Sequence, residues 1–274
     1  MTVPVDLKAD RLSLGYGERT VVHELSMHVP TGKVTIIVGP NACGKSTFLR
    51  GLARLLPASS GEVLLDGKSI HATPSREVAL RLGILPQGPI APDGITVTDL
   101  VSRGRHVHQG WFRRWSSQDD DAVTQALTAT GTLPLAARPV DELSGGQRQR
   151  VWIAMALAQR TGILLLDEPT TYLDISHQVE VLDLLTDLNE AEGTTVVIVL
   201  HELNLAFRYA DHLVVMKDGA VVTAGNPNEV LSEQIIEDVF GMRCRLVDDP
   251  ISNTPMIVPI GRHRTANGEV DRPE

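Results

Sequence analysis

Two short stretches of this chain have the residue types and spacing to hold anions. The run GPNACGKST, residues 39–47, fits the pattern G-x-x-x-x-G-K-[ST]. Gly39 and Gly44 let the backbone turn tightly, so that the N–H groups of a loop running through Pro40, Asn41, Ala42 and Cys43 enclose a phosphate. Lys45 then adds a point charge, Ser46 a hydroxyl for Mg²⁺, and Thr47 completes the pattern. Set among N–H groups that favour negative charge, the Cys43 thiol is expected to be somewhat activated. The second stretch, LSGGQRQR at residues 143–150, is a Ser-Gly-Gly turn opening onto a helical run. It aims backbone N–H groups and the positive end of a helix at an anion, but it carries no lysine. A third chemical feature closes the apolar run ILLLDE with Asp167 and Glu168. An acid pair at the end of a buried strand is unfavourable unless it meets a metal or a water. Neighbouring strand residues face opposite ways, so the two acids take different roles: Asp167 toward Mg²⁺, Glu168 toward polarising a hydrolytic water.

The elements that must position these groups can be read from hydropathy patterning. Residues 34–39, VTIIVG, form a short β-branched run into the glycine loop, and STFLRGLARLL continues at helical spacing. ILLLDEP and TVVIVLHE are apolar throughout and end in acid or histidine. Runs of that kind predict a parallel sheet covered on both faces, with chemistry at the carboxyl ends of its strands. Alternating stretches before residue 30 predict an antiparallel β start, and Asp66-Gly67 and Asp218-Gly219 predict two tight hairpins. GILPQG is expected to be a short buried strand leading to Gln87. Between Gln87 and ILLL lie three helical patterns, near 97–103, 118–130 and 144–159, which predict an inserted helical subdomain at about 88–160. After the second hairpin one helix and then a tail from Gly241 are expected, its last residues disordered.

The order of these motifs resembles that of the ATP-binding cassette (ABC) family over nearly the whole chain. The resemblance rests on residues 39–47, Gln87, residues 143–147, Asp167-Glu168, Leu173-Asp174 and His201. It implies an α/β fold with a P-loop (RecA-like) core, an antiparallel β subdomain and the inserted helical subdomain, the cassette proper spanning 1–240. It implies ATP and Mg²⁺ as ligands. It also accounts for two anion loops in one chain, because cassettes of this family pair head to tail. The turn formed by Ser144, Gly145, Gly146 and Gln147 of one subunit would then close on the γ-phosphate held by the other subunit's Lys45. By the same resemblance Tyr16 stacks on adenine, Gln87 contacts Mg²⁺ and senses the transporter, His201 holds the γ-phosphate, and Asp174 crosses the dimer interface. GRHVHQGWFRRW, TTYLDISHQVEVLDLL and the tail around CRLVDDPISNTPMIVPIGR resemble the ATPase subunits of ferric siderophore importers, the ferric enterobactin type in particular. That resemblance implies a homodimer under two membrane permease subunits, served indirectly by a siderophore-binding protein, with haem or cobalamin import and a soluble non-transport cassette ATPase as alternatives. Two residues depart from the family pattern. Ala42 stands where a glycine is frequent, which matters if the position needs φ > 0, and Glu202 replaces the usual Asp after the histidine.

Composition narrows the remaining choices. A formal net charge of −9, from Asp+Glu 34 against Lys+Arg 25, opposes general attraction to nucleic acid or anionic lipid. No apolar run nears the ~20 residues that span a bilayer. The N-terminal MTVPVDLKADR has no signal-peptide pattern. A cytosolic chain is therefore expected, any membrane contact being local or through a partner, and the resemblance to importer subunits implies a peripheral place on the cytoplasmic face of the membrane. HELNL at His201 begins like a zinc-protease motif, but Leu205 stands where the second histidine belongs. The run Asp119 to Asp121 reads as a helix start favoured by the dipole rather than a metal cluster. WFRRW reads as a packed or permease-facing loop rather than a nucleic-acid site.

Overall fold

The computed structural model describes residues 5–109 and 115–261. The chain opens with β1 (Leu7–Tyr16) and β2 (Arg19–Val29), then β3 (Val34–Val38) runs through the glycine loop into α1 (Lys45–Leu52). A hairpin of β4 (Ser60–Leu65) and β5 (Lys68–Ser69) precedes α2 (Ser75–Arg81) and β6 (Leu82–Leu85). The helical segment follows as α3 (Val97–Ser102) with a 3₁₀ turn Arg103–His108, α4 (Ser117–Ala129) and α5 (Gly145–Ala158). Next come β7 (Ile163–Asp167), α6 (Ile175–Glu192), β8 (Thr195–Val199), α7 (Leu203–Tyr209), β9 (His212–Lys217) and β10 (Ala220–Gly225). The C-terminal part comprises α8 (Pro227–Val230), α9 (Glu233–Phe240), β11 (Cys244–Asp248) and β12 (Pro255–Pro259).

These strands form an antiparallel sheet ordered β2-β1-β4-β5 and a six-stranded sheet ordered β10-β9-β3-β8-β7-β6. The latter is parallel except for the edge strand β10. Every residue of β3, β7 and β8 is buried, the condition for an apolar run without alternation. The sheet separates two cores. Leu14, Val22, Phe48, Leu49 and Val63 fill the space toward the antiparallel sheet, and helices α5, α6 and α7 pack on the other side. Both Asp-Gly hairpins have the backbone their residues favour, with φ of 50° and 72° at Asp66 and Gly67 and 47° and 78° at Asp218 and Gly219. Positive φ at both central positions matches the twist of the flanking strands.

The helical segment is held by a buried ion pair. Arg105 donates from Nε to Asp119 Oδ1 at 3.0 Å and from Nη1 to the Ala158 carbonyl at 2.8 Å, joining the starts of α4 and the end of α5. Asp119 also accepts from the Ser116 N–H at 3.1 Å, as a helix-start acid should. Among the described residues no group of three or more His, Cys, Asp or Glu side chains is placed to hold a metal. Four residues of WFRRW lie outside the described residues.

The C-terminal part differs from expectation. Two helices follow β10 where one was expected, and the stretch expected to be a tail from Gly241 folds into the antiparallel hairpin β11–β12, paired from Cys244↔Pro259 to Asp248↔Pro255. The strand pattern was masked because prolines stand at both ends of β12, and proline is scarce in strands read from sequence alone. Tertiary packing supplies what propensity lacks: Cys244 and Ile257 are buried in the same core as Phe207 of α7.

Candidate functional site

The six-stranded sheet places its chemistry at the carboxyl ends of its central strands. Because β8 pairs with both β3 and β7, the loops leaving all three strands at their carboxyl ends converge. The glycine loop is pressed against neighbouring backbone: a Cβ at Gly39 would lie 2.2 Å from the Met216 carbonyl oxygen of β9, so only glycine fits. From outside, the β9–β10 turn braces the loop, since Gly219 N–H donates to the Cys43 carbonyl at 2.9 Å while its own carbonyl accepts from His23 N–H at 3.1 Å. Gly44 begins α1 in the left-handed region, φ 104°, and Ala42 sits there as well, φ 61°.

Lys45 is almost wholly buried, and its Nζ donates to the carbonyls of Gly39 and Pro40 at 2.8 and 2.9 Å. Ser46 Oγ donates to Asp167 Oδ1 at 2.8 Å, while Asp167 Oδ2 is buried with no partner. Burial raises the Asp167 carboxyl above its ordinary range and neighbouring Glu168 adds to this, against opposition from the Ser46 hydroxyl, Arg50 and Lys45. An orphaned carboxylate oxygen beside a serine hydroxyl is a hard oxygen donor set of the kind Mg²⁺ takes.

Glu168 occupies a left-handed backbone position, φ 54°, which turns its side chain away from that of Asp167. Its Oε1 lies 2.5 Å from His201 Nε2, and its Oε2 accepts from Gln87 Nε2 at 2.7 Å and from Thr171 Oγ1 at 3.2 Å. Thus Gln87, Glu168 and His201, which lie in three distant parts of the sequence, form one hydrogen-bonded row. A cleft of about 520 Å³ is lined by this row with Asn41, Ala42, Gly44, Lys45, Ser46, Thr47 and also Arg19 and Val21. Arg19 was not singled out from sequence. It stands at the start of β2 opposite Tyr16, and only the pairing of that hairpin brings it to the cleft. Tyr16 itself is half-exposed, its hydroxyl accepting from Arg50 Nη1 at 3.2 Å, and it does not line the cleft.

Cys43 departs from expectation. The side chain is buried, and that burial raises the thiol pKa more than Lys45 and the loop N–H groups lower it. Its thiol is therefore subdued, not activated.

The Ser-Gly-Gly turn is not brought to this cleft. Ser144 is the N-cap of α5, accepting from Gln147 N–H at 3.2 Å while Gln147 Oε1 accepts from Ser144 N–H at 3.1 Å. Gly145 faces open space and Gly146 rests near Leu173. Asp174 caps α6, its Oδ1 accepting from the His177 N–H, Ser176 Oγ and His177 Nδ1. These bonds, the His177 backbone first, hold its carboxyl down to about 2.

A glycine loop with its lysine, followed by a serine paired to a strand-end aspartate, at the carboxyl ends of central parallel strands, makes a P-loop nucleoside triphosphatase. The ABC transporter family model matches residues 22–171. The petrobactin import ATP-binding protein FpuD of Bacillus anthracis is 51% identical over 264 residues, covering 96% of this chain and 97% of that one. The ferric enterobactin transport ATP-binding protein FepC of Escherichia coli is 52% identical over 256 residues, covering 93% and 94%. Among solved structures, a dimeric bacterial ABC transporter cassette superposes with a TM-score of 0.73 at 28% identity, covering 80% of this chain and 98% of that one. The chain belongs to the ABC transporter family, as one of its ATP-hydrolysing subunits.

Proposed function

We propose that this subunit hydrolyses ATP to drive the import of iron(III)–siderophore complexes, working as a head-to-tail homodimer beneath two permease subunits on the cytoplasmic face of the membrane. The observation that carries the ATPase mechanism is the row Gln87–Glu168–His201 at the mouth of the glycine-loop cleft. Glu168 is the only carboxylate among the residues lining that cleft, and it orients and deprotonates the attacking water as general base. His201 and Gln87 fix its two oxygens, and His201 holds the γ-phosphate when ATP is present. Lys45 leaves the carbonyls of Gly39 and Pro40 for the phosphates, and Tyr16 stacks on the adenine. Mg²⁺, held by Ser46 and Asp167 with Gln87, would neutralise developing phosphate charge.

The position of the second anion loop supports the head-to-tail pair. Ser144, Gly145, Gly146 and Gln147 lie outside the cleft of their own chain, so they complete a site only on another copy, with Asp174 at the crossing. The dimeric cassette among the structural relatives supports the pairing of two copies. Among the described residues no helix is long and apolar enough to cross a membrane, so attachment runs through the permease, at the helical segment and the region of Gln87. Cargo rests on the siderophore systems in which the relatives serve. This chain fits the permease rather than the cargo, so its permease-facing surface varies with the permease type while its ATP site stays generic.

A strain lacking this protein should lose uptake of radiolabelled iron supplied as a siderophore complex, and regain it with the wild-type chain but not with Lys45→Ala. Undiminished siderophore-iron uptake together with lost haem or cobalamin uptake would overturn the cargo while leaving the ATPase standing. Tight membrane binding of the protein in cells lacking every candidate permease would overturn the attachment through the permease.

A further inference from the structure

His201 ends the connection from β8, and two residues later α7 begins. That helix has seven residues, too few to hold its own position, and Glu202 gives its N-terminus no side-chain cap. Its placement must come from contacts. Ala206 and Phe207 are fully buried on the inner side, and Tyr209 Oη donates to Asp183 Oδ1 of α6 at 2.7 Å. The remaining anchorage comes from the C-terminal hairpin. Asn204 and Arg208, one turn apart, share a face of α7. Asn204 Oδ1 accepts from the Ile257 N–H at 2.8 Å and its Nδ2 donates to the Ile257 carbonyl at 3.3 Å, so the side-chain amide engages β12 as a strand would. Arg208 Nε donates to Asp249 Oδ2 at 3.0 Å, and its Nη2 reaches the same oxygen.

Asp249 is itself fixed. It is buried in the β11–β12 turn, its Oδ1 accepts from Ile251 N–H at 2.9 Å, its N–H donates to the Thr254 carbonyl and its carbonyl accepts from Asn253 N–H, both at 2.8 Å. The hairpin is in turn moored to α9, since Glu233 Oε1 accepts from Leu246 N–H at 3.2 Å and Oε2 from Arg245 Nη1 at 3.3 Å. A continuous chain of contacts therefore runs from α9 through the hairpin to α7, the helix that begins two residues after His201.

We infer that the C-terminal hairpin is a clamp on α7 that holds His201 in register with Glu168, with Asn204, Arg208 and Asp249 as positioning residues for ATP hydrolysis. The inference rests on the role proposed for His201 at the γ-phosphate. Its physical basis is the tolerance of the row: a hydrogen bond of 2.5 Å between His201 and Glu168 does not survive a shift of its supporting helix by about 1 Å, and misplacement on that scale slows catalysis steeply. The glycine loop, which supplies most of the phosphate contacts, is braced separately, by Gly219 and His23, so loosening the clamp leaves most of the nucleotide affinity in place.

The test is steady-state ATP hydrolysis by the purified full-length chain, with circular dichroism as a check on folding and ¹⁵N-histidine NMR on the His201 ring. In Asn204→Ala/Asp249→Asn we expect kcat to fall about tenfold, KM for ATP to stay within about twofold, and the His201 ring resonances to move. Arg208→Met should show the same split, and Arg208→Lys should recover part of the rate. If the double variant does not fold, the Arg208 pair decides by the same criteria. Wild-type kcat and an unmoved His201 signal in a folded, detached variant would overturn the clamp, as would a loss confined to KM. His201→Ala separates the two readings: if it hydrolyses ATP normally the role of His201 falls, and the clamp with it. If it is inactive while the detached variants keep their kcat, only the clamp is wrong.

Discussion

Glu168 and His201 lie 33 residues apart in the chain, yet Oε1 of the first is 2.5 Å from Nε2 of the second. The contact exists because β7 and β8 are adjacent parallel strands with Asp167 opposite Val199, so the residues just beyond each strand end emerge together. The left-handed backbone at Glu168 then turns the carboxylate toward the histidine and toward Gln87, leaving Asp167 to Ser46.

Replacing Glu168 by Gln keeps the shape and one hydrogen-bonding oxygen but removes the base. Glu168→Gln should bind ATP and accumulate as a dimer while its kcat falls by about 10²–10³-fold. Lys45→Ala should fail earlier, at binding. Light scattering at saturating Mg-ATP checks the first, and a monomer there would count against the head-to-tail pair.

Ala42 holds φ 61° in the glycine loop, where a Cβ crowds the following carbonyl. Ala42→Gly should relieve about 1 kcal/mol of that strain but add about 0.5–1 kcal/mol of unfolded-chain entropy, so the thermal midpoint should stay within about 1 °C, read by differential scanning calorimetry. A midpoint lowered by about 2 °C, the full entropic cost of the glycine, would show that the loop holds the alanine without strain.

Cys43 is buried and its thiol pKa raised, so maleimide at neutral pH should label it at least about tenfold more slowly than it labels a free thiol. Denaturant should abolish the difference. Rapid labelling of the folded chain, blocked by ATP, would restore the idea of an activated thiol.

Asp249 has its carboxyl held down to about 2 by the Ile251 N–H and then by Arg208, against an ordinary value of 3.8. A depressed carboxylate favours the fold fully above its unfolded pKa and loses that effect as pH falls through the folded one. Acid unfolding of the wild type should therefore steepen between about pH 4 and pH 2 relative to Asp249→Asn, followed by circular dichroism. Parallel acid profiles for the two proteins would show that the ion pair contributes nothing to stability.

Much of the site was legible as sequence because its chemistry is local. A glycine loop, its lysine and its hydroxyl residue are consecutive, so Gly39, Gly44, Lys45 and Ser46 declare a phosphate site without any fold. The β-branched run of β3 and the apolar runs of β7 and β8 declare buried strands, and each Asp-Gly pair declares a tight hairpin through its own backbone preference. The Ser-Gly-Gly turn was visible for the same reason, as consecutive residues opening a helix, while its capping by Ser144 and Gln147 came from the structure.

What tertiary structure alone decided is which distant groups meet and what their surroundings do to them. No local pattern says that β8 lies between β3 and β7, so none could show that Gln87, Glu168 and His201 form one row or that Arg19 reaches the cleft. The unpaired oxygen of Asp167 and the subdued thiol of Cys43 depend on burial, a property of neighbours remote in sequence. The hairpin after Gly241 was illegible because proline and turn residues obscure its strands, and the energy that forms it comes from Ile257 and Cys244 entering a core and from Asn204 and Arg208 reaching across to it. Spacing along a chain encodes torsions and periods, whereas contact order, burial and the pKa values they set arise only when the sheet is assembled.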